Sequence, residues 1–362
     1  MGRTKKPRKG LFCWLSIWMI PPIFVTEETD THNARAYLWS LIPKGSLVIT
    51  QNIFYTISEI SDLKSCLPDP GNKPIYLDLS YSPALLESSH AIGVLDQLKE
   101  IAPLKVIVNE YKNFYSPQED FIYFPLTFYS YSHGAYLEPT STFKFPEFVK
   151  KTKRFMSLNN RPIWHRIWLF TELASNNLLN KLEYSFVWDP KINYPGMEHH
   201  LDLLPDHKRI QTEAFLDLLP IRFDHEKHLD FNADGHINLH YHNECAVNIV
   251  TESCPNLGFL SEKICKPLAC YQIPVLLSHT GATQFCVDAG FDMFEDIIPW
   301  RTWDSIEDEQ ERCDVACKFI VDYIKHGDPI ADWERCQHRA ISNRQRLVSD
   351  DFKKFCTSQF KL

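Results

Sequence analysis

A chain of 362 residues, 44% of them apolar, is long enough for two domains of ordinary size, each with its own core. A formal charge of -8 excludes a general attraction to nucleic acid or anionic membrane, and leaves any polyanion contact to a local basic groove. The 11 cysteines are odd in number, with none between Cys66 and Cys245 and no CxxC pair, which excludes a disulfide framework or zinc ribbon and points to buried thiols of a reduced compartment.

Arg3, Lys5, Lys6, Arg8 and Lys9 precede an apolar run over residues 11–25 that superficially resembles a signal anchor. The run is shorter than the ~20 residues a spanning helix needs, and Pro21-Pro22 interrupts it. The chain has no N-x-[ST] acceptor site. The expectation is a buried first strand in a cytoplasmic protein, with membrane association through this run as the alternative. Apolar runs over residues 46–50, 74–79, 104–109 and 121–126 predict strands, and residues 85–100 carry helical spacing between them. Strand and helix patterns in alternation imply a parallel α/β sheet. The Ser-, Thr-, Gly- and Pro-containing stretch 130–146 separates a first domain, 1–140, from a second, 141–330, with closing helices over 331–362.

Residues 144–166 hold seven Lys or Arg and one acid, Glu147. Within them the pattern predicts a strand over 154–158 and a helix over 162–179 with Pro162 in its first turn. The Asn159-Asn160-Arg161 loop then falls where a phosphate would sit. Residues 194–243 read as the least regular part and contain eight of the 15 histidines, too variably spaced for a zinc site. Tyr241 precedes a β-branched strand at 246–250 that leads to Glu252, and is a candidate to stack on a nucleobase.

Ser261-Glu262-Lys263 reads as a helix start, and 273–277 as a second buried strand. Ligands of parallel sheets bind beyond the carboxyl ends of the strands, where helix N-termini favour anions. There a carboxylate can accept both hydroxyls of a ribose and an ammonium can neutralise a diphosphate, which together is what a sugar nucleotide needs. A turn at 278–281, a short helix at 284–290 capped by Gly290, and helices at 307–326 and 331–348 complete the pattern. The last two are expected to cover the sheet and cross back toward the first domain.

Glu252, Phe259-Leu260-Ser261-Glu262-Lys263, Lys266-Pro267 and Pro274-Val275-Leu276-Leu277 resemble the donor-binding motif of alpha-1,3-fucosyltransferase-like glycosyltransferases. Ser157-Leu158-Asn159-Asn160-Arg161-Pro162 with His165-Arg166 resembles the opening of that family's donor domain, and Gly290-Phe291-Asp292-Met293-Phe294 its end. The resemblance covers about residues 154–319. It implies a GT-B fold, two Rossmann-like parallel-sheet domains facing across a cleft. It also implies Glu262 on the nucleotide ribose, Lys263 on the phosphates, and Arg161, or secondly Arg166, on the diphosphate. Asn160, Tyr241, Glu252, Ser261 and Lys266 belong to the same expected donor site.

The family inverts the anomeric centre, with a first-domain carboxylate deprotonating the acceptor hydroxyl. Asp78, at the end of Ile75-Tyr76-Leu77-Asp78, is the first candidate base facing the cleft, and Glu110 after a similar strand is the second; either could instead cap the following helix. With no DxD motif in the chain, no metal and no cofactor are expected. The donor substrate would be a nucleotide-diphosphate sugar, GDP- or UDP-linked, and the acceptor a glycan or other hydroxyl. Two alternatives stand beside this reading. One is glycosylation of hydroxylated bases in DNA, with residues 144–166 serving the nucleic acid; the other is a non-catalytic nucleotide- or glycan-binding module.

Overall fold

The computed structural model describes residues 24–25, 38, 41–44, 46–50, 67, 70–79, 89–108, 121–123, 125, 128, 146–159, 162–186, 197–216, 239–253, 258 and 260–358. The architecture is α/β, with two separate sheets each built on four parallel strands. The first sheet has the order β1 (Phe24–Val25), β2 (Leu47–Thr50), β3 (Ile75–Asp78), β4 (Leu104–Val108), β5 (Phe121–Tyr123), and only β1 runs antiparallel, at the edge. Of the apolar N-terminal run, Phe24–Val25 forms this edge strand and residues 11–23 lie outside the described residues.

The period of two in a strand assigns the faces of this sheet. Leu47, Ile49, Ile75, Leu77, Val106 and Val108 point to one side, under Val94 and Leu98 of helix α1 (Ser89–Ile101), and make a small aliphatic core. Val48, Tyr76, Ile107 and Ile122 point to the other side and join the main core of the molecule.

The second sheet has the order β7 (Leu182–Phe186), β6 (Lys153–Asn159), β8 (Cys245–Thr251), β9 (Ile273–Leu277), all parallel. All seven residues of β8 and all five of β9 are buried, as expected of parallel strands covered on both faces. Pro274 is tolerated within β9 because β9 is an edge strand, where a missing N–H need not break a ladder. Near the amino end of this sheet the buried Lys151 donates to the carbonyls of His242 (2.9 Å), Asn243 (3.0 Å) and Cys270 (2.7 Å), and burial brings its pKa down to about 8. One side chain thus ties the entries of β6, β8 and β9 together.

Helix α2 (Trp164–Ser175) is shorter at both ends than its pattern predicts. Pro162 lies before the N-cap Ile163, and the helix stops because Asn176 caps it and Asn177 takes the left-handed φ of 56°. The described residues of 194–243 are more regular than expected, with helices α3 (Met197–Asp202), α4 (Asp206–Leu216) and α5 (Leu239–Glu244). Its buried stripe is partly polar, which hides it from an apolar count. Lys208 pairs with Glu172 and lies 5.7 Å from the Trp168 ring centre, and Thr212 bonds Thr171 at 3.1 Å.

Six described helices follow β8: α6 (Glu262–Ala269), α7 (Ala282–Asp288), α8 (Arg301–Asp304) and the C-terminal α9 (Glu309–His326), α10 (Pro329–Leu347) and α11 (Asp350–Ser358). Asp308 and Asp328 cap α9 and α10, accepting from the amides of Glu311 and Ala331. The return toward the first sheet is made by α11, whose Phe352 meets Phe128 at 5.9 Å between ring centres, while Phe285 of α7 meets Tyr123 at 6.0 Å.

Candidate functional site

The order of the second sheet creates a switch point. The chain leaves β6 outward to β7, then returns past β6 to β8, so the connections from the carboxyl ends of β6 and β8 diverge and leave a crevice between them. In the first sheet the described parallel strands follow one another in sequence order, with no switch point among them.

The strand ends at this crevice are polar and buried. Asn159, the last residue of β6, accepts a short hydrogen bond from Thr251 Oγ1, donates through Nδ2 to Ser157 Oγ at 3.1 Å, and donates from its backbone amide to Ser185 Oγ at 3.3 Å. Glu252 follows β8, its N–H bonded to Leu277 O at 3.1 Å. Its carboxylate is fully buried and accepts from Ser261 N (3.1 Å), Ser261 Oγ (2.6 Å) and Ser253 N (3.4 Å). Burial raises its pKa, against the opposing pull of the Lys263 charge and the Ser261 bonds.

Ser261 is the N-cap of α6, its Oγ accepting from Lys263 N at 3.3 Å, so the capping read from sequence is present. Glu262 opens the helix with its side chain 14% exposed, 3.4 Å from Lys263 Nζ and 3.9 Å from Lys266 Nζ. Burial pushes the Glu262 carboxyl up, but Lys263 and Lys266 outweigh it and hold the group below the usual range, so it is ionised at neutral pH. The Lys263 ammonium, its side chain 26% exposed, donates to Ser253 Oγ (2.9 Å), Ser261 Oγ (3.0 Å) and Glu262 Oε1 (3.4 Å). An ionised carboxylate and an ammonium therefore stand side by side, at the solvent margin, on the first turn of the helix that follows the switch point.

The neighbouring helix offers no such opening. The carboxylate of Asp304, 4% exposed, accepts the amides of Thr283 (2.9 Å) and Gln284 (3.0 Å), and its carbonyl accepts the amide of Gly281 at 2.7 Å. Gly281 has φ 73°, a left-handed turn that glycine adopts without strain. The start of α7 is thereby closed by the buried Asp304 carboxyl, and of these two helix starts that of α6 is the one left open to an anion.

Several expected site residues lie elsewhere. Arg166 is 2% exposed and donates through Nη2 to the carbonyls of Thr251 (3.0 Å) and Glu252 (3.1 Å), so it braces the end of β8 from within and does not face a diphosphate. Tyr241 belongs to α5, which enters β8 at its amino end, and it sits 6.0 Å from the Nζ of Lys153, the first residue of β6. That is the edge opposite Glu262, roughly 20 Å away along a seven-residue strand, so a base-stacking role is corrected. Asp78 does end β3, but it is fully buried and does not face a cleft. Asn160, Arg161 and Glu110 lie outside the described residues.

Four of the seven basic residues of 144–166 have partners within the fold. Lys151 and Arg166 are buried on carbonyls, Lys150 pairs with Glu334 at 2.7 Å, and Lys153 pairs with Glu183 (3.0 Å) and Glu244 (2.8 Å). These four charges are partnered within the fold.

Sequence reasoning missed Asp304 and Arg312. Arg312, 3% exposed, donates to the carbonyls of Ser278 (2.9 Å), Ile306 (2.5 Å) and Glu307 (3.1 Å), bracing the end of β9 as Arg166 braces β8. His165 and His279 are buried nearby, and burial pushes both imidazoles down, His279 to about 3, so both are neutral. The only sequence signal for these roles is a charged residue within a buried helical stripe.

No protein-family model matches the chain, and no curated protein matches it. Among solved structures it is similar to one described as the crystal structure of an alpha1,3-fucosyltransferase, at 11% identity and a TM-score of 0.32, over 81% of this chain and 85% of that one.

Proposed function

We propose that the chain is a glycosyltransferase of GT-B type that binds a nucleoside-diphosphate sugar on its second domain and transfers the sugar to a hydroxyl acceptor, with inversion and without a metal. The observation that carries the reading is the ionised Glu262 beside Lys263 at the opening of α6, next to the switch point and beside a helix start closed by Asp304. In this reading Glu262 accepts the ribose hydroxyls. Lys263 and the α6 amides receive the phosphates and the charge that develops on the leaving diphosphate, joined by Arg161, two residues beyond the end of β6 in sequence. Lys266, one turn along α6, keeps Glu262 ionised. The acceptor base would be a first-domain carboxylate, and the burial of Asp78 leaves that role to Glu110.

Thermal shift against GDP, UDP, ADP and CDP tests the donor site. A nucleoside diphosphate at 100 times its Kd should stabilise the protein by about 2.7 kcal/mol, and Glu262→Ala and Lys263→Ala should each reduce that shift by weakening binding. Absence of any shift with all four would reject the reading. The burial of Asp78 also favours a second reading, a nucleotide-binding module without turnover. Release of free sugar from the matching nucleotide sugar separates the two.

A further inference from the structure

Glu252 is fully buried, so it cannot touch a ligand at the helix mouth, yet every bond its carboxylate makes runs toward that mouth. Its backbone is pinned twice, by Arg166 on its carbonyl (3.1 Å) and by its own amide on Leu277 O (3.1 Å). The carboxylate then bridges nine residues to Ser261. A serine hydroxyl has one proton and two lone pairs. At 2.6 Å from Glu252 Oε2, a carboxylate that can only accept, that proton is committed to the glutamate. The lone pairs of Ser261 Oγ are left to face outward, where they accept from Lys263 N at 3.3 Å and Lys263 Nζ at 3.0 Å.

We propose that Glu252 is a positioning residue: by taking the Ser261 proton it makes that hydroxyl an acceptor, and the acceptor holds the Lys263 ammonium at the opening of α6, where a diphosphate is received. The phosphate part rests on the function proposed above; the positioning part does not. On arrival of a phosphate, Lys263 exchanges its contacts with Ser253 and Ser261 for phosphate oxygens without leaving the helix mouth. A glutamine at 252 reverses the hydroxyl, because its amide N–H₂ can donate to Ser261 Oγ and compete with the ammonium.

The two parts separate in one set of variants. Competitive acetylation of the ligand-free protein, read by mass spectrometry, reports how firmly Lys263 is held. Glu252→Gln and Ser261→Ala should raise its labelling rate about tenfold, the size of a lost charge-assisted hydrogen bond, and Ser261→Thr should restore it. Lys266, one turn along the same helix, should keep its wild-type rate. Unchanged Lys263 labelling in both variants overturns the proposal, and so does an equal rise at Lys266, which would mean that the helix start has merely loosened.

Nucleoside-diphosphate affinity forms the other arm, with the panel GDP, UDP, ADP and CDP. Glu252→Gln should weaken binding about tenfold in the wild type and add nothing in Lys263→Ala, because its effect passes through that ammonium. An equal loss in both backgrounds overturns the proposal. A wild-type protein that binds none of the four, with the labelling pattern as expected, rejects the function and leaves the positioning of Lys263 in place.

Discussion

The two sheets are built from the same kind of strand and differ at their carboxyl ends. In the first, the strands follow in sequence order, one face is aliphatic, and the single carboxylate among the described strand ends, Asp78, is buried. In the second, the order switches, the strand ends carry Asn159, Thr251, Glu252 and Ser278, and two buried arginines hold their carbonyls. Burying so many polar groups is tolerable only because each is bonded to another. The cost of that interior is accepted at the switch point, and the described strands of the first sheet, with no switch point, bury one carboxylate in an otherwise apolar setting.

The sharpest break of this comparison is catalytic. If the first sheet supplies only the base, Glu110→Gln should lower turnover by ~10²–10⁴ with nucleoside-diphosphate affinity unchanged, and Asp78→Asn should keep turnover. Steady-state kinetics beside a binding measurement decide it, and a selective loss in Asp78→Asn would return the role to the buried carboxylate.

Next in size is the brace on β8. Arg166→Ala leaves the carbonyls of Thr251 and Glu252 without their buried donor and should destabilise the protein by about 3 kcal/mol, whereas the exposed Arg154→Ala should stay within about 0.5 kcal/mol. Urea midpoints of the two variants test it. Equal midpoints would mean that the arginine is not structural.

Acid sensitivity follows from the same interior. His242 and His279 are held at about 3 by burial, His242 with Gln272 Oε1 at 2.8 Å as its partner. The unfolded chain takes up a proton on each below pH 6.5 and the folded chain does not, so stability falls as pH drops from 6.5 toward 3. Between pH 6.5 and 5 each histidine should cost about 2 kcal/mol. A stability profile by denaturant titration should show this limb, and His242→Gln should make it shallower by that residue's share. A profile level to pH 5 would contradict the burial of both rings. The smallest expected effect is at Tyr241, where Tyr241→Phe should change nucleotide affinity less than twofold, because the ring lies at the far edge of the sheet.

How much of this was legible depends on how local the cause is. Strand β9 matches its apolar run, and Ser261-Glu262-Lys263 announces the start of α6, because capping is decided within three residues. Strand β7, Leu182–Phe186, has no apolar run to show, since Glu183 and Tyr184 are half exposed. Arg166 carried the right charge in the right segment, but only the packed fold shows that it points inward to carbonyls of residues 85 and 86 positions away. Tyr241 was misplaced for a simpler reason: it precedes β8, and a residue before a parallel strand belongs to the opposite edge from one after it. Asp304 closes a helix that begins more than 20 residues earlier, and no periodicity reports such a pairing.

The aromatic contact between the two halves bears on how the molecule comes apart. Phe128 lies against Phe285, Phe291 and Phe352, and with Val48, Tyr76, Ile107 and Ile122 it belongs to the same core as β8 and β9. Two sheets that share one core melt as one cooperative body, because neither half can lose its packing without exposing the other's. A fragment cut near residue 146 would carry Phe285, Phe291 and Phe352 onto its surface as a sticky apolar face. Calorimetry of the intact chain should therefore give a single transition, and the separated halves should aggregate where the whole stays in solution.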